Sequence, residues 1–132
     1  AIGEIAKSRG IEVKILKQTR AANQRQGNRT SLAESYLKSI LSIEQRYYFP
    51  IIHDKFLIVD DSILVTTANF TSTQFAWAEN YNMKYYNEKE NIDFSINNTF
   101  SDINSFHFIN SKDVTNKYLK HFNTLWDISE IV

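Results

Sequence analysis

A chain of 132 residues that is 42% hydrophobic and 14% aromatic can build one folded domain with an adequate core and is too apolar for a disordered tail. Its 15 Lys and Arg balance 15 Asp and Glu, so no global field draws nucleic acid or anionic lipid, and any such attraction must be local. The lack of cysteine excludes disulfides, thiol catalysis and cysteine-ligated zinc without settling the compartment; no apolar stretch reaches membrane-spanning length, and the first residues carry no signal-peptide pattern.

Residues 1–9 read as a helix with Ile2 and Ile5 turned inward, closed by Gly10 as a left-handed cap. A strand follows over residues 11–16. Residues 17–30 form a polar segment with Arg20, Arg25 and Arg29 and no acidic residue. Three such arginines read either as a clamp on a nucleic-acid backbone or as a solvated connector. Ser31 is expected to cap a second helix, with Glu34 completing a capping box. Its buried stripe is read as Leu32, Tyr36, Leu37, Ile40, Leu41 and Ile43. Residues 46–49 then predict a short aromatic strand or turn, and Pro50 stiffens the entry to the next element.

That element begins with His53-Asp54-Lys55 and continues into the apolar run Phe56-Leu57-Ile58-Val59-Asp60. Alternating residues of a strand share a face, so His53 and Lys55 can act on one ligand group. A second strand, residues 63–69, follows the polar turn Asp60-Asp61-Ser62. With those three residues as the loop, Val59 pairs with Ile63, Lys55 with Thr67 and His53 with Asn69. One face of the hairpin then carries an imidazole, an ammonium, a hydroxyl and a carboxamide, a set suited to attack on a phosphate. Two other readings use the same residues. A lone histidine on an apolar strand is ordinarily structural. His53, Asp54, Asp60 and Asp61 are also possible metal ligands, but Asp54 points away from His53 on a strand. No second histidine stands at ligand spacing either, so no metal is assigned.

Residues 70–77 predict a loop and a short helix, with Phe75 and Trp77 read as packed against the hairpin in preference to stacking on a base or lipid tail. Glu79-Asn80 opens a strand over residues 81–86. Residues 87–110 are rich in Asn and Ser, and Phe106 and Phe108 give a brief two-residue alternation that signals an extra strand or hairpin. Its possible uses are a dimer surface, a substrate lid or a cover for the core. Ser111 caps a last helix whose inward face is Val114, Tyr118, Phe122, Leu125 and Trp126. His107 reads as structural and His121 as a surface residue.

The hairpin resembles the phospholipase D superfamily, whose signature is His-x-Lys-x4-Asp, six residues, then Gly-Ser-x-Asn. His53, Lys55 and Asp60 match the first part without a gap. Thr66-Thr67-Ala68-Asn69 stands for the second, after an interval one residue short, which is most simply taken from the loop. It is close to a Thr-Ser-Ala-Asn variant of nuclease-like members. Glu79 resembles the family's glutamate on the next strand, which orients the catalytic histidine. A third reading then keeps the site as a dead copy, retained for binding or dimerisation.

Helices alternating with strands indicate an α/β sandwich, and the resemblance implies a mixed sheet flanked by helices on both faces, here lacking the first strand. The chain is thus expected to be a single domain, residues 1–132, forming the carboxy-terminal piece or half of a longer protein, with residues 87–110 as an inserted hairpin. The resemblance further implies a phosphodiesterase without metal or cofactor that joins two His-Lys-Asp motifs, so that this chain works as a homodimer or with a second half. On that basis His53 is the nucleophile, and Lys55, Thr67 and Asn69 hold the phosphate oxygens. Glu79 orients the imidazole, and Asp60 braces the loop or the partner lysine. DNA is the first expected substrate, from the arginine segment and the threonine variant. A phospholipid is the second, without stable membrane insertion, because no amphipathic basic face is evident.

Overall fold

A computed structural model describes residues 2–18, 27–48, 52–70, 77–90, 92–99 and 102–132. In chain order they form α1 (Ile2–Arg9), β1 (Val13–Gln18), α2 (Gly27–Lys38), β2 (Ile43–Tyr48), β3 (Phe56–Val59), β4 (Ser62–Thr66), β5 (Trp77–Asn87), β6 (Ile92–Thr99), β7 (Ile103–Asn110), α3 (Lys112–Asp127) and β8 (Glu130–Ile131). The class is α/β, with six of the described strands between α2 and α3. The strands divide between two sheets, ordered β1-β2-β8 and β3-β4-β7-β6-β5. Two compact units result, residues 1–52 with 123–132 and residues 53–122.

In the first unit β1 runs parallel to β2, from Val13 beside Ile43 to Gln18 beside Tyr48, and β8 pairs antiparallel to β2. Gly10 ends α1 with φ of 64°, the left-handed cap that glycine adopts without steric cost. The inward face of α1, however, is Gly3 and Ala6, while Ile2 and Ile5 are about half exposed. A Cβ on Gly3 would lie 2.6 Å from Tyr36 Cε1 and 3.3 Å from both Ile40 Cδ1 and Leu37 Cδ2. The helices touch where α1 is thinnest, and the isoleucines are too large for that seam.

The start of α2 also differs from expectation. It begins at Gly27, so Ser31 lies inside the helix and not at its cap position. Glu34 is buried instead, accepting from Lys17 Nζ at 2.9 Å and from the Tyr47 hydroxyl. Lys17 Nζ also donates to Gln45 Oε1 at 2.9 Å, and Gln45 Nε2 donates to the Glu34 carbonyl at 3.0 Å. Of the expected stripe, Leu37, Ile40 and Ile43 enter the core with Ala6, Val13 and Ile15. Leu32 and Leu41 are exposed. The helix stops at Lys38 and a turn follows, so one helical period does not run through Leu41. Trp126 closes this unit, buried beneath Lys14 Nζ and the Arg46 guanidinium at 5.4 and 4.4 Å from its ring. Arg46 Nη1 also donates to the Trp126 carbonyl at 2.9 Å.

In the second unit every strand pairing is antiparallel. The segment 87–110 supplies β6, β7 and their connection, and β7 lies between β4 and β6. It is part of the sheet's interior, with Phe106 buried and paired across from Thr66. Phe108 on the same face is half exposed. α3 opens as expected on Ser111, whose Oγ accepts the Val114 N–H at 3.4 Å and whose carbonyl accepts the Thr115 N–H at 2.9 Å. Tyr118 and Phe122 pack on Phe56, with ring centroids 5.2 and 6.5 Å apart. Phe56 and Ile58 alternate with the more exposed Leu57 and Val59, which marks the covered face of β3.

Candidate active site

The residues of the His-Lys-Asp pattern lie in the second unit, at the entry and tip of the β3–β4 hairpin. The loop has two residues, Asp60 and Asp61, because Val59 pairs with Ser62 and Phe56 with Val65. A three-residue loop was expected, so the register differs by one. Thr66 N–H donates to the Lys55 carbonyl at 3.0 Å, which sets Lys55 across from Thr66 instead of Thr67. Continued, the same register sets His53 level with Ala68 and not with Asn69. The reason is apolar burial: Ile63 pairs with Ile58 on the covered face and is 2% exposed. The expected register would have put it beside the exposed Val59, at a cost of about 2 kcal/mol. Asp60 makes the tight loop possible with φ of 53°, a left-handed geometry that Asp tolerates better than most residues.

His53 is exposed and Lys55 half-buried, in the segment 52–55 that precedes the strand. Asp54 Oδ2 meets His121 Nε2 at 2.9 Å, and Phe56 meets Tyr118. Both neighbours of Lys55 therefore turn to α3. Alternation from Phe56 places Lys55 on the opposite side of the ribbon.

The Thr66-Thr67-Ala68-Asn69 stretch is tied to β7. Thr66 Oγ1 donates to the Ser105 carbonyl at 2.8 Å and accepts the Ala68 N–H at 3.0 Å. The branched side chain is thus absorbed by a local turn. Thr67 Oγ1 donates to Asn104 Oδ1 at 3.0 Å and accepts the Ser105 N–H at 3.0 Å. A phosphate at Thr67 would compete with Asn104, whose own amide donates to Asp102 Oδ1 at 2.8 Å. Asn69 is exposed beyond the bend.

This chain matches the family model described as cardiolipin synthase, PLD-like domain, over residues 1–104. It belongs to the phospholipase D-like family. No curated protein and no solved structure matches the chain significantly. Membership brings with it the phosphodiesterase class of chemistry, and the match takes in the whole His53-to-Glu79 pattern.

Not every residue singled out from the sequence can be placed. Arg20 and Arg25 lie outside the described residues, as do the side chains of Arg29, in the first turn of α2, and Glu79, in β5. Among the described residues, no group of three or more His, Cys, Asp and Glu is placed to hold a metal ion. Three contacts went unread in the sequence: Asp54 with His121, Thr67 with Asn104, and Thr115 Oγ1 donating to the Asp61 carbonyl at 2.9 Å. Alternation already points Asp54 away from His53, yet its partner follows only once α3 is known to cover that face.

Proposed function

We infer that this chain is one half of a metal-independent phosphodiesterase that cleaves DNA through a phosphohistidine. The observation that carries the reading is that His53 is exposed and Lys55 half-buried while Asp54 between them is held by His121 on α3. Neither side chain is consumed as core. A ring nitrogen of His53 attacks phosphorus, and the bond to the leaving oxygen breaks. That oxygen takes its proton from the histidine of a second motif. Water, deprotonated by the same group, then cleaves the phosphorus–nitrogen bond and releases the phosphomonoester. Lys55 and Asn69 stabilise the charge on the equatorial oxygens, with Thr67 joining them by giving up Asn104. Glu79 orients the imidazole. DNA is favoured by the acid-free segment holding Arg20, Arg25 and Arg29, whose guanidinium groups suit phosphate backbones.

A second reading rests on the family model, whose description names cardiolipin synthase; by it the diester is a phospholipid. No described helix is long and apolar enough to cross a membrane. Labelled plasmid DNA and labelled phosphatidylglycerol vesicles, offered in parallel, separate the two. DNA cleavage that falls by roughly three or more orders of magnitude in His53→Asn supports the first reading. Headgroup transfer with intact DNA supports the second, and undiminished DNA cleavage by His53→Asn removes His53 as nucleophile.

A further inference from the structure

We propose that His121 is a positioning residue for this site, acting through Asp54, the residue that separates His53 from Lys55; the role as stated rests on the phosphodiesterase reading. α3 is fastened to the hairpin at three places. Thr115 Oγ1 holds the loop through the Asp61 carbonyl at 2.9 Å. Tyr118 and Phe122 hold Phe56 in the middle of the fastening. His121 holds the entry, with Nε2 at 2.9 Å from Asp54 Oδ2 and its ring 6.2 Å from that of Phe56. His121 therefore touches the residues on both sides of Lys55.

The third fastening differs from the other two in what it controls. β3 begins at Phe56, and residues 52–55 lie outside any strand. The Thr66 N–H bond to the Lys55 carbonyl fixes the end of that segment, but it does not decide which way the side chains before it turn. Holding Asp54 against α3 constrains it, because side chains alternate where the chain runs into β3. With Asp54 held, His53 and Lys55 are presented together on the other side. The side chains of His121 and Asp54 are 45% and 55% exposed, and exposed pairs of this kind add little to global stability. Their effect belongs in the turnover rate, where orientation of the nucleophile is read directly.

The test compares the full chain with His121→Ala, His121→Gln and Asp54→Ala, using bis(p-nitrophenyl) phosphate and plasmid DNA. His121→Ala is expected to lower kcat about fivefold, with KM and the thermal midpoint nearly unchanged. His121→Gln, which returns an N–H donor, should restore most of the rate. Asp54→Ala should match His121→Ala, and the double variant should be no slower than either single one. In spectra of protein with labelled imidazoles, three signals are available; that of His53 should move in His121→Ala and not in His121→Gln. An unchanged kcat and an unmoved His53 signal in His121→Ala overturn the proposal. So does a loss that follows the thermal midpoint and is not restored by Gln. If His53→Asn stays active, the nucleophile assignment fails while the imidazole signals still judge the contact. If His53→Asn is inactive and His121→Ala is unimpaired, the positioning role alone falls.

Discussion

At the scale of single residues, Asp60 has a structural duty besides the one the family pattern implies. With φ of 53° it is the described non-glycine residue of positive φ, and it closes a two-residue loop between two paired strands. Asp60→Gly removes the strain of a left-handed side chain and should leave stability unchanged or raise it by up to about 1 kcal/mol. Asp60→Val should lower it by about 1–2 kcal/mol. If urea denaturation bears this out and Asp60→Gly still loses diesterase activity, the carboxylate acts in the site as well as in the turn. Tyr36 offers a second residue-scale test. The bond its hydroxyl donates to Glu4 holds its titration above the ordinary tyrosine value, with desolvation and the Glu4 charge adding to the shift. A raised folded value means that this contribution is present below the unfolded midpoint of about 10 and fades as pH rises through the folded one. In Glu4→Ala, phenolate absorbance should therefore develop at lower pH than in the parent chain. Coincident titrations would show that the bond does not persist in solution.

Among elements, the clearest dependence is that of β1, β2 and α2 on one buried carboxylate. Glu34 accepts from Lys17 and Tyr47, and Gln45 joins Lys17 to the Glu34 backbone. Removing the carboxylate alone takes the anionic partner from the Lys17 ammonium and the Tyr47 hydroxyl, so Glu34→Leu should cost about 3 kcal/mol in a urea midpoint series. Lys17→Met added to it should recover part of the loss, because the ammonium no longer sits part-buried without its counter-ion. A double variant that is less stable than Glu34→Leu would show the lysine to be held by other groups. The capping-box reading failed at this residue for a related reason: Ser31 and Glu34 have the right spacing, but α2 starts a full turn earlier, at Gly27. The stripe read through Leu41 failed because Lys38 ends the helix first.

For the whole molecule, one motif per chain makes the second motif the central question. If the site forms between two copies, adding inactive His53→Asn in excess to the parent chain should depress its activity, because each mixed pair lacks one of the two histidines. The alternative, a second half in the parent protein, predicts no depression on mixing. Activity should also survive a strong chelator, since no step of the scheme calls on a metal; loss on chelation would overturn that scheme. What the amino-acid order settled by itself was local: the left-handed end at Gly10, the Ser111 cap and apolar face of α3, and the His53-Lys55-Asp60 spacing that places the chain in its family. Each depends on residues within a turn or on simple alternation, where backbone sterics decide. The tertiary structure alone decided the hairpin register, the choice of Gly3 and Ala6 over the isoleucines, the interior place of β7 and the partner of Asp54. Those depend on which distant surface arrives opposite, and burial of Ile63, the thin seam at Gly3 and the covering helix α3 outweighed the local signals.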